Sequence, residues 1–406
     1  MIAQRKTALV TLLLASTLAV MAGSILTPVL ELIRGDLGVT GTAAGLIITA
    51  HSLVIALSSP LWGWMIDRWG TRVPLAGGLV LYGLAGGAGV LTSSYVALLA
   101  SRLVFGLGAA AVFTGTTVAL LTLFQGAERD RVMGWRATAT SLGGVLWPLL
   151  GGAVGGLSWH APFAIYLVGV PLGLAVLASL PFTSSTEAGG ERDDGGPRRG
   201  MGWLLRRRPT LLGLYGLQLV TAVLMYALIV FLPQRLAQVG IEAPFLVSLY
   251  NVSMSAIMSL VGLLYATMRA RLGYDALFRL TLASWVAAFL LLATTSHPLL
   301  IAVAPALLGL GQGIALPAIT SLVGDTAPQE LRGQATSMLG TVTFTGQFVS
   351  PLLLGPLART TSIPTAYLAS AGVAGAVLLF LLVTRFSLDS TADVEQSSPV
   401  NTAPVK

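Results

Sequence analysis

Long apolar windows, separated by short polar breaks, fill almost the whole of this chain. The windows free of Asp, Glu, Lys and Arg are 7–30, 37–66, 73–101, 103–127, 137–186, 209–234, 243–268, 280–324, 333–358 and 360–384. A helix needs roughly 20 mostly apolar residues to cross a bilayer, and every window is long enough. Window 137–186 breaks at Ser158–Pro162 and window 280–324 at Ser296–Pro298, so each holds two spans and the total is twelve. Membrane-spanning strands are short and alternating, whereas these windows are apolar all round. A segment in lipid must satisfy its own backbone hydrogen bonds, which makes the spans helices. Arg5–Lys6 followed by an apolar run and Val20–Met21–Ala22 looks like a cleaved leader, but the run continues to Leu30, too long for one.

Six spans precede residues 187–208 and six follow. That stretch carries ten charges among Gly and Ser, and reads as a flexible aqueous linker. The expected organisation is an N-terminal six-helix bundle over 1–186, the linker 187–208, a C-terminal six-helix bundle over 209–386, and a disordered tail over 387–406. The two halves also repeat. Sliding the chain by 203 residues brings Arg68 onto Arg271, Gly70 onto Gly273, Gly106 and Gly108 onto Gly309 and Gly311, Arg129 onto Arg332, Pro148 onto Pro351 and Gly152 onto Gly355. The shared offset points to duplicated six-helix units in one orientation, as in transporters whose substrate lies between two halves.

Composition narrows the function. Charged residues make up 10% of the 406, against about 25% in soluble domains, and mean hydropathy is +0.83. The main solvent is lipid. Cysteine is absent and lysine occurs only at Lys6 and Lys406, which excludes thiolate chemistry and a phosphate-binding G-x-x-x-x-G-K-[ST] loop. His51, His160 and His297 are scattered and form no zinc pattern. No cofactor, metal or enzyme active site is expected. Lys and Arg number 19 on the side holding both termini and the linker, against Arg34, Arg235 and Arg359 on the other. The positive-inside rule places both termini and the linker in the cytoplasm of a multi-pass plasma-membrane protein. The net charge of +7 is therefore a topology signal rather than a sign of nucleic-acid binding.

Four motifs carry chemistry. Gly63-Trp-Met-Ile-Asp67-Arg68-Trp-Gly70-Thr-Arg72 lies between spans 2 and 3. Its glycines permit a tight turn, and an acid flanked by arginines can lock one loop arrangement through charge-assisted hydrogen bonds. Span 4 holds Arg102 inside the bilayer, where a lone charge is costly and by default functional; the plain alternative is a side chain snorkelling outward. Span 5 reads Gly143-Gly144-Val-Leu-Trp147-Pro148-Leu-Leu-Gly151-Gly152, small residues suited to close helix packing. Span 1 ends Thr27-Pro28-Val-Leu-Glu31.

The loop around Asp67 closely resembles the G-x-x-x-D-R-x-G-x-R loop of the major facilitator superfamily, and with twelve spans the resemblance covers the chain. It implies an all-α fold of two pseudo-twofold-related six-helix bundles. It also implies a latch in which Asp67 engages the start of span 11, near Arg332, and steadies the outward-open state. The second-half copy has Ala270 where Asp67 stands, so its latch should be weaker. The span-5 run resembles the family's antiporter motif G-x-x-x-G-P-x-x-G-G, with Trp147 in place of the glycine before Pro148. That indole either lines the cavity or marks lost packing. Overall the chain is similar to drug:proton antiporters, which implies a monomer in the bilayer exchanging a small amphipathic molecule for protons by alternating access. Rivals are an importer of a small nutrient or organic anion, a lipid translocator, and a transport-inactive sensor.

Proton exchange needs a titratable group. Glu31 and His51 are the candidates away from the cytoplasm, expected near Arg102 because spans 1, 2 and 4 share a bundle. Glu31 is the first choice, although it could equally pair with Arg34 at i+3. His51, titratable near neutrality unaided, is the second, unless it is a packing histidine. The cavity is expected to draw on Gln218, Tyr226, Tyr250, Asn251, Met254, Met258, Phe344 and Gln347, since aromatic and Met side chains with few polar anchors suit a bulky apolar ligand.

Overall fold

The computed structural model describes residues 2–181, 201–328 and 331–383. Helices account for the spans, and no strand occurs among the described residues. Span 1 is Ile2–Ser24, extended by a 3-10 turn Thr27–Val29 and a short helix Leu30–Asp36. Spans 2 to 5 are Gly41–Trp69, Arg72–Gly87, Tyr95–Leu123 and Gly126–Gly155. Span 6 runs from Ala161–Ile165 through Tyr166–Val168 to Gly169–Ser179. Span 7 is Pro209–Ala237, and spans 10 to 12 are Pro298–Thr326, Arg332–Thr360 and Ile363–Val383. Spans 8 and 9 form one continuous run, Pro244–Thr294, that turns at Gly273. Eleven long helices therefore represent twelve crossings.

Most of the linker, and the whole tail over 387–406, lie outside the described residues. The linker's end differs from expectation: Met201–Arg207 is a short helix. Leu204 anchors it, fully buried in a cluster with Leu211, Leu214 and Phe278. Leu205 packs against the same cluster, so the segment gains a buried apolar edge, and arginine is itself a good helix former.

The duplication is visible in the backbone. Gly70 has φ 73° and ψ 171°, and Gly273 has φ 72° and ψ 168°. Residues with a Cβ rarely adopt that conformation, so the same glycine turn joins spans 2–3 and spans 8–9. Helix packing repeats as well. Gly106 sits against the carbonyl of His51, and Gly309 sits against the carbonyl of Met254. Gly108 meets Tyr82, and Gly311 meets Trp285. Each partner, like each glycine, is displaced by the same 203 positions.

The halves touch on the arginine-poor side. A Cβ on Gly45 would lie 2.7 Å from Val230 and 2.8 Å from Pro351, and one on Gly152 would lie 2.8 Å from both the Pro244 carbonyl and Ser248. Gly355 abuts Thr42, and Gly41 meets the Gln234 amide. Two turns from Gln347 towards the arginine-rich side, on the same helix face, a Cβ on Gly340 would have nothing within 4 Å. The same holds at Gly262, two turns from Ser255, and at Gly63, three turns from Ser52. The space between the halves is closed on one side and open on the other.

Candidate functional site

The seam where the halves meet is built by spans 1, 2 and 5 of the first half and spans 7, 8 and 11 of the second. Ser52 Oγ donates to Gln347 Oε1 at 2.8 Å. Its counterpart 203 residues on, Ser255, faces Gly144, the counterpart of Gln347; a Cβ there would be 3.4 Å from Ser255 Oγ. Towards the open side, Phe113 of span 4 meets Phe344 of span 11 edge to face, with centroids 5.5 Å apart.

Above these contacts, Gly23 of span 1 packs closely between a histidine of its own half and a tyrosine of the other. A Cβ on Gly23 would lie 3.2 Å from Tyr226 Oη and 3.7 Å from His51 Cε1. His51 is 2% exposed, and its Nδ1 has no hydrogen-bond partner among the described residues.

His51 and Arg102 both contact Phe105. The His51 and Phe105 rings are 5.5 Å apart, and the Arg102 guanidinium lies 4.6 Å from the Phe105 centroid. Arg102 is fully buried and does not snorkel outward. Its Nη2 donates to the carbonyls of Gly86 at 2.7 Å and Ala85 at 3.3 Å. Phe163 and Tyr166 lie 5.1 and 5.0 Å from it. Aromatic faces and helix-end carbonyls stabilise the cation in place of a carboxylate. Spans 3, 4 and 6 enclose it, so Arg102 does not line the space between the halves, and Glu31 does not approach it as expected. Glu31 is held by Arg34, whose Nε lies 2.9 and 2.8 Å from the two carboxylate oxygens and whose Nη2 makes a further short contact. The i, i+3 spacing on the helix Leu30–Asp36 brings these two together.

Span 5 presents two stripes. Gly143, Trp147 and Gly151 face span 1: Gly143 meets Thr17, Trp147 Nε1 donates to the Thr17 carbonyl at 3.1 Å, and Gly151 meets the Ile25 carbonyl. Gly144 and Gly152, with Pro148 buried between them, face span 8 of the other half. Trp147 thus neither fills the cavity nor marks lost packing; it packs inside its own half.

Asp67 and Arg332 are exposed, and Asp67 makes no ion pair among the described residues. Arg68 lies 5.8 Å from the Trp64 ring, and Arg72 Nη2 donates to the Leu177 carbonyl.

Of the eight cavity candidates, Tyr226, Phe344 and Gln347 reach the other half. Gln218 donates to Thr343 within its own half, and Asn251 donates back to Val247. Tyr250 donates to the Pro298 carbonyl at its own half's rim. Met254 and Met258 lend their carbonyls to glycines of span 10. Gly23, Ser52, Phe105 and Phe113 were not singled out from sequence. The repeat could have found some of them, since a contact in one copy implies its partner 203 residues away.

The family model described as Major Facilitator Superfamily matches residues 12–274 and 253–405. The bacillibactin exporter of Bacillus subtilis (strain 168) is 32% identical over 151 residues, 35% of this chain and 37% of that protein. The quinolone resistance protein NorA of Staphylococcus aureus is 28% identical over 153 residues, 38% of this chain and 39% of that one. The alignment with these relatives spans well under half of their length. A bacterial homologue of the human lysosomal transporter Spinster, inward-facing and unoccupied, matches with a TM-score of 0.72 at 17% identity, covering 94% of this chain and 95% of that one. A variant of the nucleoside transporter NupG matches with a TM-score of 0.77 at 14% identity, covering 94% and 100%. At such identities these structures speak for the fold.

Proposed function

Because the chain belongs to the Major Facilitator Superfamily and is a multi-pass membrane transporter rather than an enzyme, we propose that it exports small amphipathic compounds in exchange for protons. In this reading the arginine-rich face is cytoplasmic, so the structure is the inward-open state. Residues 1–186 and 209–386 are the two units that rock about the seam.

The observation that carries the reading is the placement of His51 and Tyr226, from the two halves, on either side of Gly23. A titratable side chain of one half, with an unpartnered nitrogen, stands beside a hydroxyl of the other. In this reading proton and substrate compete there, where groups of both halves feel the result. His51 therefore takes precedence over Glu31, which is held by Arg34. Arg102 acts as a fixed charge behind the Phe105 ring. The direction of transport rests on the span-5 motif, whose stripes let one helix pack on span 1 while abutting span 8, and on the two relatives named as an exporter and a resistance protein.

The test is proteoliposomes carrying a pH gradient, assayed with cationic, neutral and anionic amphiphiles, for the parent, Glu31→Gln and His51→Gln. Loss of pH-driven transport with retained binding in His51→Gln, and not in Glu31→Gln, is the expected result. Full pH-driven transport in both variants would place coupling elsewhere.

A further inference from the structure

We infer that the carried molecule has a carboxylate, and that Arg136 binds it in a cleft between spans 1 and 5. This rests on the transporter reading above and adds the charge class of the substrate.

Arg136 differs from its neighbours on span 5. Arg129 and Arg131 are exposed near the helix start, where topology residues belong. Arg136 is half-buried, and its Nε is shut off from solvent without a hydrogen-bond partner among the described residues. Glu128, a carboxylate at the start of the same helix, is taken by Arg5 at 2.9 Å. The second half shows that the fold needs no charge here. The position 203 residues on is Leu339, 7% exposed and in one cluster with Leu211, Leu214 and Tyr215. One copy fills the place with an apolar side chain, and the other puts a guanidinium there at a cost in desolvation.

The cleft has room. Spans 1 and 5 run side by side in the same direction, with Gly143 against Thr17 and Gly151 against Ile25. Arg136 lies seven residues before Gly143, and Val10 seven before Thr17. Both therefore return to the facing stripes, two turns nearer the arginine-rich side. Helices in contact there would bury them. Instead Val10 is 56% exposed, and Leu14, one turn on, is 51% exposed. Val20, Gly144 and Ser255 close in from spans 1, 5 and 8 at the seam, while a Cβ on Gly262, two turns along span 8, would have nothing within 4 Å. Arg136 thus stands just beneath the seam, on the wall of the open space, with apolar side chains of span 1 opposite.

That combination selects a chemistry. A guanidinium presents a planar fork of donors that matches a carboxylate at two points. Partial burial strengthens the pair, because less water screens it. Val10 and Leu14 offer an apolar surface to the body of the same molecule. A cation is repelled, and a neutral hydroxyl gains only the weaker bond.

The experiment uses the full chain in phosphatidylcholine nanodiscs and three arylalkyl probes of equal length, ending in a carboxylate, an alcohol or a trimethylammonium. Isothermal titration, with empty nanodiscs subtracted, gives the order of affinity. The carboxylate is expected to bind about tenfold more tightly than the alcohol, with the ammonium weakest. Arg136→Leu takes the residue that the second half packs there. It should bring the carboxylate down to the alcohol and leave the alcohol unchanged. Arg136→Lys keeps the charge without the fork, and should retain part of the preference. Arg129→Leu removes an exposed arginine of the same helix and should leave the order as it is. A parent that binds the carboxylate no better than the alcohol, or equal losses in Arg129→Leu and Arg136→Leu, would overturn the inference. So would a lipid occupant: phosphatidylglycerol retained by the parent but not by Arg136→Leu in native mass spectrometry, with carboxylate binding lost in bilayers that contain it. Proteoliposomes separate the two readings. Carboxylate preference without pH-driven movement of that probe would sink the export reading alone. pH-driven movement of the alcohol or ammonium, unchanged in Arg136→Leu and with the carboxylate left behind, would sink the carboxylate inference alone.

Discussion

Ser52 and Gln347 join the two halves through a side-chain hydrogen bond of 2.8 Å, eleven residues inside the helix that begins at Gly41. Ser52→Ala removes that bond and leaves the amide without its donor. A neutral hydrogen bond contributes about 0.5–1.5 kcal/mol, so the closed seam should lose about two- to tenfold in population. The chain has no cysteine, so spin labels on Leu157→Cys and Ser296→Cys, one in each half, report the seam directly. An unchanged distance distribution would show that the bond does not hold it.

Gly152→Ala should open the same seam more strongly. The added methyl meets the Pro244 carbonyl at 2.8 Å, and backbone cannot turn aside as a side chain can. Overpacking of this kind costs about 1–3 kcal/mol. Gly340→Ala adds its methyl to open space and should leave the label distances of this state unchanged.

Trp147→Phe should lower the melting temperature modestly, because it deletes the bond to the Thr17 carbonyl, about 1 kcal/mol, and part of the indole's packing. Trp147→Gly, which restores the residue that the family motif carries, should cost more, towards the low end of the roughly 3–5 kcal/mol of aromatic truncation. Thermal unfolding in detergent ranks the two. Equal melting points would mean that the indole is not a packing element.

Much of this was legible in the sequence, and the failures have physical causes. The twelve spans and both internal breaks followed from apolar length, which depends on composition alone. The shared turn at Gly70 and Gly273 followed from the 203-residue offset, because only glycine serves that backbone. Arg102 was harder. Sequence shows that it lies in a span, but not that Phe105, Phe163 and Tyr166 surround it, since those rings come from two helices whose rotation is set by packing. Glu31 went the same way: the local partner at i+3 won over a distant one. Trp147 was read by analogy to a pattern, while its real partner is a backbone carbonyl, which no pattern of side chains displays. The helix at Met201–Arg207 was hidden because Leu204 and Leu205 find their cluster only through the tertiary fold.

Asp67→Asn should lower transport while leaving expression and melting temperature near the parent's. Asp67 is exposed and makes no ion pair among the described residues in this state, so the loss falls on the state in which the arginine-rich side closes. Substituting Ala270 should matter less. Transport rates in proteoliposomes check both, and equal losses at the two positions would remove the asymmetry between the halves.

Five glycines face the other half across the seam: Gly41, Gly45, Gly144, Gly152 and Gly355. Glycine has no rotamers to lose, so closing the seam immobilises few side chains, and opening it sets few free. Little conformational entropy is then exchanged between the two arrangements, and little dispersion energy from large side chains must be broken. The arrangements stay close in free energy, and a ligand needs only a modest preference for one of them to tip the balance. A seam of interlocked leucines would hold tighter and would demand a larger preference from every molecule carried.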